Sequence, residues 1–179
     1  GIKQTQKSDK KNEELLFKIP FVLEFYYKNS QERFSVEIKS DKEKFCFRLK
    51  SKPLFFRIDP DYECPCKVVV SDVPRPMLYE QLKRDLDPIG RLEAASELTK
   101  NASTEDVNIL GERLKKEKEW GVAIRIAKAL GKIGGEEARN FLIKGLKNSN
   151  PKIRKGIISA LGNFCHDKKS ILSIRQFAE

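Results

Sequence analysis

"DPIGRLEAASEL" at 87–98, "EWGVAIRIAKALGKIG" at 119–134 and "NPKIRKGIISALGNF" at 150–164 are three passes through one pattern. Pro88 aligns with Pro151, Arg91 with Arg154, Ala94 with Ile157 and Leu98 with Leu161. In the middle copy Ala127, Leu130 and Gly131 stand one period before Ile158, Leu161 and Gly162. The period of 31 to 32 residues holds two helices and a turn. A helix pair so short cannot cover its own apolar stripe, so the pairs must stack on one another as an α-solenoid. The expected repeats are 87–118, 119–149 and 150–179, within a helical domain spanning 74–179.

Each pair carries its own punctuation. Ser103, three residues before Asp106, resembles a capping box and opens a face of Val107, Leu110 and Leu114. Gly134 and Gly135 break the chain before Ala138, Phe141, Leu142 and Leu146. Asn150 and Pro151 supply a cap and a first-turn proline, and Asp167 caps a last helix bearing Ile171, Ile174 and Ala178. Ahead of the repeats, Met77, Leu78, Leu82 and Leu86 are spaced for one more helix, with Pro76 in its first turn. Arg91 and Arg154 read as structural residues, bonding carbonyls or carboxylates of adjacent repeats beside the helix-starting Pro88 and Pro151. The last helix keeps Ile171, Ile174 and Phe177 with no polar cap beyond it, so the chain is expected to continue past Glu179.

Upstream of residue 74 the period falls from 3.6 to two. Leu15, Phe17, Ile19, Phe21, Leu23, Phe25 and Tyr27 form one apolar face of a strand, and Pro20, on the other face, marks an edge or a bulge. "KNSQ" at 28–31 is turn chemistry, and Phe34, Val36 and Ile38 alternate on the return, which makes a hairpin. "FCFRL" at 45–49 and "LFFRIDP" at 54–60 are expected to be further strands. Short strands at this spacing predict an all-β antiparallel sandwich over 1–73. "YECPCKVVV" at 62–70 is read as a turn running into a β-branched strand, with free thiols buried or half-buried.

The chain offers no complete site for chemistry. Zinc takes four ligands, typically from C-x2-C or longer chelates; Cys64 and Cys66 bite too closely, Cys46 faces away from Phe45 and Phe47, and Cys165 belongs to the other half. The single histidine, His166, is expected in the loop before the last helix. No nucleophile is paired with a base, so no catalytic, cofactor-binding or metal residue is assigned, and no cofactor is expected in this chain. Irregular cysteines suggest a reducing, cytoplasmic setting, and no apolar run has the length of a membrane span. The formal charge of +10 makes nucleic acid a partner to weigh. Counted by halves, residues 1–84 and 85–179 each carry 18 Lys or Arg against 13 Asp or Glu, so the excess reads as spread. Two local clusters, Arg113, Lys115, Lys116 and Lys118, then Lys152, Arg154 and Lys155, form the candidate interaction surface.

The helical pattern, proline, then arginine three residues on, then small and apolar residues leading to Leu-Gly, resembles HEAT-type repeats. The whole order also resembles the C-terminal β-sandwich and helical domain of the zinc aminopeptidase N family. The motifs that carry this are Gln4–Gln6, the Phe17 to Pro20 strand, and Lys52-Pro53 followed by Asp59-Pro60. That resemblance implies a non-catalytic portion that supports a catalytic domain and walls off its substrate cavity. The zinc would be the parent protein's: the family's H-E-x-x-H helix has no counterpart here, since His166 has no second histidine four residues away. Two other readings stay open. One is a protein-interaction scaffold without peptidase activity. The other is a basic nucleic-acid-binding module, as in HEAT-like DNA glycosylases.

Overall fold

The computed structural model describes residues 2–3, 17–66, 68–70, 72–165 and 167–176. The Gln4–Gln6 segment, Leu15, His166 and the Phe177–Ala178 end of the last helix lie outside the described residues. The chain divides into two compact units, Gly1–Val73 and Pro74–Glu179.

In the first unit, β1 (Ile2–Lys3) pairs with β4 (Lys42–Glu43), while β2 (Ile19–Tyr26) lies between β3 (Gln31–Ile38) and β5 (Phe55–Ile58). All pairings are antiparallel. The expected sandwich is therefore, among the described residues, a small three-stranded sheet and a separate two-stranded pair. Alternation places Phe21, Leu23 and Phe25 on one buried face, across from Val36 and Phe34 on β3. Phe47 joins Phe25 and Phe34, with ring centroids 5.6 and 4.9 Å away, yet residues 44–49 form no strand. Their predicted periodicity reports the half-burial of Phe45, Phe47 and Leu49, without a described neighbour to complete a ladder. β5 pairs with Leu23–Tyr26, so among the described residues Pro20 has β3 alone beside it, and its missing N–H disrupts no second described ladder.

The other face of the sheet is polar inside. Glu24 is buried on β2 opposite Arg57 of β5, and accepts from Arg33 Nε at 2.7 Å. The guanidinium of Arg33 also donates to Asp61 at 2.7 Å. Among the described residues of 62–70 the predicted strand is absent. Asp59 and Tyr62 adopt positive φ, at 50° and 57°, and the Asp59 carboxylate accepts the N–H groups of Glu63 and Cys64 at 2.9 and 3.0 Å. Pro65 has no N–H to offer, so no ladder can start here. The thiols differ too: Cys46, Cys66 and Cys165 are exposed and Cys64 is half-buried, all of them free.

In the second unit seven helices among the described residues form two layers. The helices α2 (Pro88–Glu97), α4 (Trp120–Ile133) and α6 (Pro151–Leu161) stack side by side; α1 (Arg75–Arg84), α3 (Thr104–Lys116), α5 (Gly135–Gly145) and α7 (Lys168–Gln176) stack behind them. A 3-10 turn, Gly162–Phe164, links α6 to α7. The core is a nearly continuous apolar seam that includes Leu98, Leu110, Ile126, Leu130, Leu142, Ile157 and Leu161. Asp87 and Asn150 cap their helices with side-chain oxygens, each followed by proline at the first helical position. The Ser103–Asp106 capping box is complete, and Gly134 and Gly135 take φ of 77° and 84° between α4 and α5, where a Cβ would be strained. Leu86 departs from its expected helical role. α1 stops at Arg84, and Leu86 stands 94% exposed in the turn before Pro88.

Candidate functional site: bound and unbound charges across the helical layers

The charged side chains of the second unit divide into those spent on joining helices and those left facing outward. Arg91, on α2, makes the most complete junction. Its Nη1 donates to the carbonyls of Asp85 and Leu86 at 2.9 and 3.1 Å. Its Nε and Nη2 grip Glu117, in the turn that leads into the following repeat, at 3.0 and 3.1 Å. Glu117 is buried, and also accepts from Arg113 Nη2 at 2.7 Å and from the N–H groups of Lys118 and Glu119 at 3.0 and 2.9 Å. Burial alone would raise the Glu117 carboxyl; the Arg91, Glu119 and Arg113 donors outweigh it and hold it below the usual range.

Arg154 repeats half of that pattern. Its Nη1 donates to the carbonyls of Asn148 and Ser149 at 2.9 and 2.8 Å, the counterparts of Asp85 and Leu86. Asp85, Glu117 and Asn148 are themselves equivalent. Each stands two residues before a helix cap and accepts that cap residue's N–H, from Asp87, Glu119 and Asn150 respectively.

The rear layer is joined in the same manner. Asp106, at the start of α3, accepts from Tyr79 of α1 at 2.8 Å and pairs with Arg75 at 2.7 Å. Burial would raise its carboxyl, but the Ser103, Tyr79 and Arg75 donors pull it below the ordinary value. Tyr79 answers in the opposite direction: burial and the Asp106 carboxylate push its phenol up to about 12. Asp167, ahead of α7, accepts from Ser170 N–H and from Arg139 of α5, both at 2.8 Å.

The candidate interaction residues therefore separate. Arg113 is tied to Glu117, Lys115 pairs with Glu112 and lies over the Phe141 ring, and Arg154 is bonded to its own loop. Lys116, Lys118, Lys152 and Lys155 are free of ion pairs to described residues. Lys116, Lys152 and Lys155 are exposed and Lys118 is exposed beside the Glu117 junction. Arg91 and Pro88, with Arg154 and Pro151, stand at the inter-repeat turns. The structure adds a set that was not selected from the sequence: Arg125, Lys128 and Lys132 occupy the exposed stripe of α4. None is ion-paired to a described residue. They adjoin α6, where Lys152 Nζ lies 4.8 Å from the centroid of the half-exposed Trp120 ring. The signal was present in the sequence. Residues 85–119 carry six Lys or Arg against nine Asp or Glu, and residues 120–166 carry nine against two. Counting by halves averaged this reversal away.

In the first unit, the Cys64 and Cys66 sulfurs lie 2.6 Å apart. Loss of hydration, the Cys64 thiol and nearby Asp59 push the Cys66 thiol up to about 11, which disfavours the thiolate that nucleophilic or metal chemistry requires. Among the described residues no group of three or more His, Cys, Asp or Glu side chains could hold a metal ion. No described helix is long and apolar enough to cross a membrane.

A family model described as HEAT repeats matches residues 75–162 and again 107–177, together more than half of the chain. No curated protein matches.

Proposed function

Because the chain belongs to the HEAT-repeat family, we propose that its helical unit is a non-catalytic scaffold that docks another protein. One observation carries this reading. At the last helix pair an open recess of about 330 Å³ is lined by Leu161, Phe164, Cys165 and Ile171, and Ile171 and Leu172 are 38% and 59% exposed. Apolar surface left open beside a stacked helix pair is the type of surface that partner helices cover. The buried ionic groups, by contrast, are consumed in joining helices. A photo-crosslinking amino acid placed at Leu172 in cells is expected to capture a defined protein, and one at the outward Glu105 is not. Capture at neither site, in a chain that folds normally, would remove the scaffold reading.

A narrower reading makes the chain the C-terminal, non-catalytic portion of an aminopeptidase N-like zinc peptidase, with the first unit as part of a larger β-sandwich. Its support is the order of a β unit before helical repeats, with the Lys52-Pro53 and Asp59-Pro60 motifs. Under it the partner is the catalytic domain, the zinc is held there, and the setting is cytoplasmic. Hydrolysis of an aminoacyl-coumarin by the native polypeptide, abolished by a zinc chelator, is the outcome it requires. A native polypeptide without an H-E-x-x-H segment would eliminate it.

A further inference from the structure

The cations on α4 and α6 lie in two adjacent rows. Arg125, Lys128 and Lys132 recur at helical spacing along the exposed stripe of α4, and Lys152 and Lys155 stand on the exposed side of α6. Neither helix contains an acidic residue. The rows belong to one surface, because α4 and α6 pack so closely that a Cβ on Gly156 would meet Ile124 at 2.6 Å. Neighbouring helices lie about 8–10 Å apart, comparable to the screening length of about 8 Å at physiological salt. Their fields therefore add instead of acting as isolated charges. Three helix N-termini, of α2, α4 and α6, border the same edge, where Ile89 and Trp120 are 46% and 48% exposed.

From this arrangement we infer that the α4–α6 surface binds an acidic peptide segment of a partner protein, with an apolar residue of that segment resting on Trp120. The inference rests on the scaffold reading and names the chemistry of the partner. Extent decides between a peptide and a larger polyanion. From Trp120 to Lys132 the aromatic rim and the α4 row together span about 18 Å at 1.5 Å per residue, room for an extended segment of about five residues at 3.3 Å each. On its α2 flank the sign reverses, since the next helix carries Glu93, exposed, and Glu97, half-buried and paired with Lys100 at 2.6 Å. A nucleic-acid duplex carries about one negative charge per 1.7 Å of axis, and would bring phosphates against those carboxylates. A short peptide does not reach them. The exposed aromatic at the rim, already in contact with Lys152, gives such a peptide its apolar anchor.

Trp120 is the only tryptophan in the chain, so its fluorescence reports occupancy at that edge. The whole chain is titrated with a synthetic Glu/Asp peptide containing one central Leu, and separately with a duplex DNA and with anionic phosphatidylserine vesicles. Saturable quenching or enhancement by the peptide is expected. Binding should weaken roughly tenfold or more in the Arg125→Glu, Lys128→Glu, Lys132→Glu triple variant. A charge-matched control, Lys144→Glu, Lys147→Glu, Lys168→Glu, should stay within about threefold of the parent. Equal weakening in both variants would reduce the effect to net charge and overturn the inference. So would tighter binding of DNA or vesicles than of the peptide. Circular dichroism on each variant separates lost binding from lost folding. Failure here, with crosslinking at Leu172 intact, removes the acidic peptide and leaves the scaffold reading standing.

Discussion

Arg91 and Arg154 share a sequence position and differ in what they hold. Removing Arg91 leaves Glu117 buried at the junction with only Arg113 as a charged partner. Breaking such a buried pair costs about 3–5 kcal/mol. Arg154 gives up two bonds to carbonyls, each worth about 0.5–1.5 kcal/mol. Urea unfolding of Arg91→Met should therefore show a several-fold larger loss than that of Arg154→Met. Equal losses would mean that the Glu117 grip contributes nothing beyond the carbonyl bonds. Cys66 allows a second test at this scale. With its thiol pushed up to about 11, its thiolate is scarce at pH 8, and iodoacetamide labelling followed by mass spectrometry should modify Cys46 and Cys165 well before it. First labelling of Cys66 would contradict the environment described for it. Neither behaviour could be read from the sequence. Spacing suggested a structural arginine, but the carboxylate that completes it lies 26 residues on, outside any local motif.

Helices and strands were legible to different degrees, for a physical reason. The solenoid helices carry caps, first-turn prolines and a 3.6-residue stripe, signals that act within a few residues. Each cap is separately testable: Ser103→Ala should cost about 1 kcal/mol, measured by the urea midpoint of the helical transition. Close approach between layers adds another. A Cβ on Gly111 would sit 2.3 Å from the Phe141 ring, so Gly111→Ala should cost about 1–3 kcal/mol through overpacking of α3 on α5. An unchanged melting temperature would show that the ring can turn aside freely. Strands depend on neighbours remote in sequence. The alternation of β2 and β3 was sufficient because a four-residue turn joins them. Phe45, Phe47 and Leu49 alternate equally well, but no described strand pairs with them. At 62–70 the Asp59 carboxylate takes the N–H groups of Glu63 and Cys64, and Pro65 has none to offer, so the segment ahead of the β-branched run starts no ladder.

For the molecule as a whole, the depressed carboxyls set the acid response. Glu117, Asp106 and Asp167 all lie below their ordinary values. A carboxyl whose folded pKa is lowered stabilises the fold above its unfolded pKa, and this contribution is lost as pH falls through the folded value. The stability of the helical unit should thus decline from about pH 4.5 downward, starting from unfolded pKa values near 4. Replacing Glu117 by Gln should flatten the curve in that interval and lower the plateau at neutral pH. A parent chain whose urea midpoint is constant from pH 6 to about pH 3 would contradict the assigned donors. The same scale shows why the basic surface was missed in a linear count: a repeat stack sorts charge by helix and layer, and equal halves of a sequence cut across that order.

The half-used guanidinium of Arg154 carries a geometric instruction. Among the described residues its Nε and Nη2 have no partner, whereas the matching atoms of Arg91 clasp Glu117. Arg91 thus serves as a gauge that fixes where the next turn must begin. Arg154 carries the same gauge, and any helix pair stacked on α6 with a glutamate two residues ahead of its first cap would be set in register by that arginine before any apolar side chain made contact.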